Sequence, residues 1–239
     1  MRFALVLLMM VAVSSSALGV EGVILLHGLA RTDRSMGKMA AALERDGYVV
    51  LNVDYPSRTE TIEVLAETTI RRALERPEIS AADKIHFVTH SLGGILVRHY
   101  LSNRSIERLG RVVMLGPPNQ GSEVVDRLAD LTVFGMLNGP AGQQLGTGPD
   151  SVPNLLGPVD FELGIIAGDR SINWINSAII PGPDDGKVSV GRTKVPGMKE
   201  HIVIHAGHPF LMSNEQVMRA TLRFLRSGTF QEAAPIGAN

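Results

Sequence analysis

The 239-residue sequence contains no cysteine, which excludes disulfides, thiol nucleophiles and thiolate metal sites, and leaves the compartment to be read from another signal. Charge of neither sign is in excess: 23 Lys and Arg stand against 24 Asp and Glu, a net charge of −1 with histidines neutral. That balance supplies no basic footprint for nucleic acid and no strong field to steer a charged partner. Internal repeats and low-complexity tracts are also missing. The N-terminal apolar run, Phe3 to Val13, is too short to span a bilayer comfortably. It follows Arg2 and precedes the small-residue stretch Ser14 to Gly19, which is the layout of a secretory signal peptide. Cleavage after Gly19 places Ala17 three positions before the cut, and cleavage after Ala17 is the second option. An uncleaved anchor or a buried first strand is the structural alternative. With no cysteine at the cut, the segment cannot become a lipid-modified anchor. Residues 1–19 are therefore expected to direct export, to the periplasm or the cell exterior, and residues 20–239 to form one domain. At 44% hydrophobic, that region is long enough for a single large core.

Beyond residue 20, apolar runs rich in β-branched residues alternate with segments of helical period. This pattern predicts an α/β fold, a mostly parallel central sheet with helices on both faces. Strands are expected near Val23–His27, Val49–Tyr55, Ile85–Thr89, Val112–Gly116, Leu163–Gly168 and Ile202–His205. The spacing of Met36, Met39, Ala40 and Leu43 predicts a helix over Ser35–Arg45, closed by Gly47. Further helices are expected over Thr61–Arg76, ended by Pro77, and over Ile95–Leu101 and Glu215–Leu225. Pro117 to Asp160 breaks the rhythm, with 13 glycines and prolines in 44 residues and a short amphipathic stretch at Val124–Leu131. Long irregular segments in compact domains tend to be functional.

Two short motifs carry chemistry. Thr89-His90-Ser91-Leu92-Gly93-Gly94 follows the apolar run Ile85–Val88 and opens a helical segment, which sets Ser91 on a tight strand-to-helix turn. Such a turn strains the serine backbone, lifts its hydroxyl clear of the sheet and points the next N–H, that of Leu92, at the same place. The second, Val23 to Leu29, reads as a buried strand ending in His27-Gly28, where the glycine lets the Leu29 N–H aim at a developing oxyanion. With His-Gly after the first central strand and His-Ser-Leu-Gly-Gly at the turn, the chain resembles the α/β-hydrolase superfamily, in its bacterial secreted lipase and esterase type. The likeness covers nearly everything beyond residue 20. One position departs from it: Thr89 stands where the first glycine of G-x-S-x-G is usual.

The resemblance implies an α/β-hydrolase fold with a cap or lid-like insertion at 117–160, where Val133, Phe134, Met136 and Leu137 are available to line an acyl pocket, and a nucleophile, acid and base in the chain order Ser, Asp, His. Of seven histidines, His86, His90 and His99 lie on or next to the central strand and helix. His208, in the loop Ala206-Gly207-His208-Pro209-Phe210 before the last helix, is where the family places its base, and His205 is the competitor. For the acid, Asp185 in Asp184-Asp185-Gly186 resembles the acid loop of many bacterial lipases, while Asp169 directly follows a strand and Asp184 remains a further alternative. Arg58 and Asn119-Gln120-Gly121-Ser122 follow strand ends near the site. The implied activity is hydrolysis of a small-molecule or lipid carboxylic ester through an acyl-enzyme, with Leu29 and Leu92 N–H groups as the oxyanion hole. Cofactors: none; metal: none. Transient contact with a lipid interface is a further expectation. An amidase or thioesterase would use the same groups, and a non-catalytic binding module would keep the same turns.

Overall fold

The computed structural model describes residues 19–128 and 132–232, without the side chains of residues 128 and 132–137. The expected signal segment therefore lies outside the described residues apart from Gly19, as do the side chains of Val133, Phe134, Met136 and Leu137. Six strands form one sheet: β1 (Glu21–Leu26), β2 (Val49–Val53), β3 (Lys84–His90), β4 (Leu109–Leu115), β5 (Leu163–Gly168) and β6 (Glu200–Ile204). Their order is β2-β1-β3-β4-β5-β6, and every neighbouring pair is parallel. The principal helices are α1 (Gly37–Arg45), α2 (Ile62–Leu74), α3 (Pro77–Ser80) and α4 (Leu92–Asn103). They are followed by α5 (Glu123–Leu128), α6 (Thr132–Gln143), α7 (Val152–Leu155), α8 (Trp174–Ser177) and α9 (Glu215–Ser227).

A parallel sheet must be covered on both faces, because its strands present apolar side chains alternately to each. Here Ile24, Phe87, Val112 and Met114 pack with α2 and α4 on one face. Val23, Leu25, Val88, Val113 and Leu115 pack with α1 and α9 on the other. The chain leaves β1 for β2 on one side and returns to β3 on the other, so the strand order reverses between β1 and β3. Ligand sites in such sheets form beyond the carboxyl ends of the strands at this switch point. Both motifs, His27-Gly28 and His90-Ser91, end the two strands that flank it.

Element boundaries differ from expectation in instructive places. Helix α4 begins at Leu92 rather than Ile95, so Gly93 and Gly94 lie in its first turn. Thr61–Arg76 is shorter than expected, and Pro77 does not merely stop it but starts α3 from the first helical position. The first helical segment is a 3₁₀ turn, Asp33–Met36, followed by α1. The turn around Asp185 is closed by a single bridge between Asp184 and Ser189. Within 117–160, the chain forms α5, α6 and α7. Gly139, at φ 65°, kinks α6 before Pro140.

Candidate active site

Ser91 adopts φ 52° and ψ −120°. Only Ala30, at φ 56°, shares positive φ among the described non-glycine residues. Such strain persists only where the surroundings hold it. The Ser91 N–H donates to the Leu115 carbonyl at 2.9 Å, and its own carbonyl accepts from Gly94 N–H at 3.0 Å. Gly93 is required sterically, since a Cβ there would stand 2.7 Å from the Leu26 carbonyl oxygen and 2.9 Å from Leu26 Cβ. Thr89 takes the place of the usual glycine because β3 runs on through His90, leaving position 89 an ordinary pleated residue paired with Leu26 and Met114. Its buried hydroxyl finds no hydrogen-bond partner.

The loop after β1 closes over this turn. A Cβ on Gly28 would lie 2.7 Å from His90 Nδ1 and 3.1 Å from Ser91 Cβ, so only glycine permits the approach. His27 is fully buried beneath it, stacked on Tyr55 with ring centroids 4.1 Å apart. Tyr55 N–H points at His27 Nε2 at 3.3 Å, which assigns the proton to Nδ1, and Nδ1 donates to the Gly28 carbonyl at 2.8 Å. Burial pushes the His27 pKa down, in keeping with a neutral ring. The Tyr55 hydroxyl donates to the His27 carbonyl at 2.6 Å, and Ala30 N–H donates to Ser57 Oγ at 3.0 Å. Leu29 N–H is left without a partner among the described residues, and Leu92 N–H belongs to the unpaired first turn of α4. Leu29 lines the same cavity as Ser91, and Leu92 follows Ser91 directly in the chain.

His208 and Asp185 are joined twice. His208 Nδ1 donates to Asp185 Oδ2 at 2.7 Å, and His208 N–H donates to the Asp185 carbonyl at 2.8 Å. The other carboxylate oxygen, Oδ1, accepts from Lys187 N–H at 3.0 Å and Val188 N–H at 2.9 Å. Asp185 is fully buried, yet every hydrogen-bonding need of its carboxylate is met. With Nδ1 as donor, Nε2 is the acceptor of the His208 ring. Two glycines make room for this pair: a Cβ on Gly116, which directly follows β4 at φ 54°, would meet Asp185 Oδ2 at 2.9 Å and His208 Nδ1 at 3.1 Å. A Cβ on Gly168, the last residue of β5, would meet Asp185 Cβ at 2.9 Å. His90 fixes the loop from the other side, donating from Nε2 to the His208 carbonyl at 3.0 Å. Burial first, then the neighbouring His208, holds its pKa well below the usual value.

Ser91, His208 and Asp185 line one cavity of about 540 Å³, together with Leu29, His90 and Lys187. The other candidates fall elsewhere. Asp184 spends Oδ1 on Ser177 Oγ and Gly186 N–H, at 2.8 and 2.7 Å, and so shapes the turn. Asp169 pairs with His205 at 2.9 Å on the surface, away from the cavity wall. His201 lies within β6, against Thr193 Oγ1 at 2.8 Å. Asn119 is a buried strut between Arg98 and the Thr193 carbonyl, Ser122 does line the cavity, and Arg58 does not. No group of three or more His, Asp or Glu able to hold a metal ion occurs among the described residues. Sequence reasoning missed Ala30, Tyr55, Ser57, Gly116 and Gly168. Of these, only the two glycines left a signal, each closing a buried apolar strand.

Residues 23–161 match the sequence pattern of the Alpha/beta hydrolase family, and the chain belongs to that family. Solved structures of similar shape include the mature form of the lipase BlEst2 from Bacillus licheniformis. It has a TM-score of 0.66 and 19% identity, over 87% of this chain and 91% of that one. The metagenomic carboxyl esterase MGS0156 has a TM-score of 0.64 and 20% identity, over 81% and 65% of the two chains. Phospholipase PlaB from Legionella pneumophila has a TM-score of 0.60 and 20% identity, over 73% of this chain and 46% of that one. At such identities the likeness is one of fold. No curated protein matches the sequence.

Proposed function

We propose that the chain is a serine hydrolase of carboxylic esters, with Ser91 as nucleophile, His208 as base and Asp185 as the acid that orients it. The observation that carries this reading is the buried 2.7 Å Asp185–His208 contact on the wall of the cavity that also contains the strained Ser91. A serine hydroxyl is a poor nucleophile until a base takes its proton. In the reaction, Ser91 Oγ bonds to the ester carbonyl carbon as its proton passes to His208 Nε2. Asp185 stabilises the imidazolium, and the N–H groups of Leu29 and Leu92 hold the oxyanion. The proton then leaves with the alcohol, and water, deprotonated by His208, releases the carboxylic acid and restores Ser91.

Hydrolysis of p-nitrophenyl esters from acetate to palmitate, by the wild-type chain and Ser91→Ala, tests the proposal. Activity lost in the variant, with fluorophosphonate labelling of the wild type alone, is the expected result. A folded wild-type chain that neither turns over these esters nor takes the label would overturn it in favour of a binding module. Amide and thioester analogues in the same assay separate the neighbouring chemistries.

A further inference from the structure

Three exposed apolar side chains fall within four residues of one another: Ile172, Trp174 and Ile175 are 61, 79 and 57% exposed. Such a cluster marks an interaction surface more often than isolated exposed residues do. Its position is specific. Ile172 and Asn173 line the cavity that holds Ser91 and His208. Helix α8, which carries Trp174 and Ile175, is tied to the acid turn through Asn176 Nδ2 to the Gly186 carbonyl and Ser177 Oγ to Asp184 Oδ1, both at 2.8 Å.

Charge at the same cavity is one-sided. Arg31 and Lys187 both line it, and neither side chain has a hydrogen bond or ion pair among the described residues. The one carboxylate among the lining residues, Asp185, is buried and fully engaged. This side of the molecule thus offers an aromatic and an aliphatic side chain to an apolar phase and two cations to an anionic one, Lys187 feeling only the buried Asp185 carboxylate. Three side chains expose far less than the roughly 800 Å² per partner that a standard protein interface buries. Shallow insertion at a headgroup boundary needs no more, and tryptophan favours that boundary.

We propose that Trp174 and Ile175, which follow the cavity-lining Ile172 and Asn173, act together with the cavity-lining Arg31 and Lys187 to seat the protein on an anionic phospholipid surface, so that the cavity mouth faces the bilayer. The purpose of this surface rests on the ester-hydrolase reading, but its test does not. Trp174 is the single tryptophan of the chain, so its emission reports the contact directly.

The full chain is titrated with vesicles of phosphatidylglycerol and phosphatidylcholine in equal parts, and with phosphatidylcholine alone. The expected result is a blue shift of Trp174 emission and quenching by brominated acyl chains, with binding to the anionic vesicles stronger by about fivefold for each cation engaged. Ile175→Ser keeps the reporter and weakens binding severalfold. Trp174→Ser/Ile175→Ser, followed by vesicle flotation, weakens it about tenfold or more, while hydrolysis of soluble p-nitrophenyl acetate stays within twofold of wild type. Arg31→Gln/Lys187→Gln removes the preference for anionic vesicles. Emission that ignores vesicles overturns the proposal, as does a shift that follows protein concentration without lipid, which would assign the surface to a second copy. Equal binding to neutral vesicles overturns the role of the cations. A chain that binds vesicles but hydrolyses no ester keeps this surface and loses the enzymatic reading; an active chain with unresponsive Trp174 does the reverse.

Discussion

Asp185 with His208 and Asp169 with His205 make the same contact, carboxylate oxygen to Nδ1, at 2.7 and 2.9 Å. Their surroundings separate them. The side chains of the first pair are 0 and 9% exposed, those of the second 35 and 71%. Asp185 is held by two further backbone N–H donors and by the His208 N–H on its carbonyl, and a glycine at the end of each adjoining strand gives it space. Asp169 has water on one side and a solvated imidazole on the other. Distance alone therefore says little. A carboxylate can orient an imidazole for proton transfer only when both are fixed and the solvent that would screen them is gone.

The largest effect should come from breaking the buried pair's chemistry. Asp185→Asn removes the acceptor that fixes the His208 tautomer, and the kcat for p-nitrophenyl butyrate should fall by about 10³–10⁴. His208→Ala should cost at least as much. Asp169→Asn and His205→Ala should leave kcat within about threefold, and a comparable loss in either would transfer the acid–base role to the surface pair. Next comes stability. Asp185→Ala strands the Lys187 and Val188 N–H groups and the His208 Nδ1–H without an acceptor, so urea unfolding should report a loss of about 2–3 kcal/mol. Gly116→Ala tests the space around the pair. It adds a Cβ at positive φ against Asp185 and His208, and should cost about 1–2 kcal/mol together with most of the activity.

A smaller effect should appear with pH. Burial depresses the pKa of both His27 and His90 in the folded chain. Below the unfolded value, about 6.5, the unfolded chain binds protons that the folded chain refuses, so stability is complete above that pH and is lost as pH falls through it. Each ring contributes up to about 1.4 kcal/mol per pH unit in that window. His90→Gln, which retains a donor for the His208 carbonyl, should flatten the decline in urea unfolding measured between pH 7.5 and 5.5. An unchanged slope would show that His90 is not the group refusing the proton.

The difference between the two pairs also marks how far the sequence could be read. Apolar runs located all six strands, and the two motifs located Ser91 and the loop of Leu29, because steric demands at a strand end are local. Gly93 and Gly94 argued against helix by propensity, and the late helix start followed from that. The turn at Ser91 starts α4 at Leu92 all the same, and Leu26 and Met114, far off in sequence, are what leave a Cβ so little room at 93 and 94. Asp169 follows a strand and Asp185 lies in a turn, and no local signal tells which one meets buried N–H donors and a buried histidine. Tyr55 and Ser57 support the loop after β1 from 28 and 27 residues away. Neither was legible before the sheet brought β1 and β2 together.

The smallest effect belongs to the exposed pair. Holding two solvated side chains in one geometry costs rotamer entropy that nearly offsets their attraction, and mobile ions screen what remains. Asp169→Asn should therefore change unfolding free energy by no more than about 0.5 kcal/mol in 20 mM salt, and by still less in 0.5 M salt. Asp185→Ala should keep its full cost in both, because ions do not reach a carboxylate with no exposed surface. If salt erased both losses alike, burial would not be what distinguishes the pairs, and the assignment of Asp185 as the orienting acid would lose its physical basis. A loss that stays at Asp185 and fades at Asp169 assigns the difference to solvent exclusion, the same condition that the chemistry proposed at Ser91 requires.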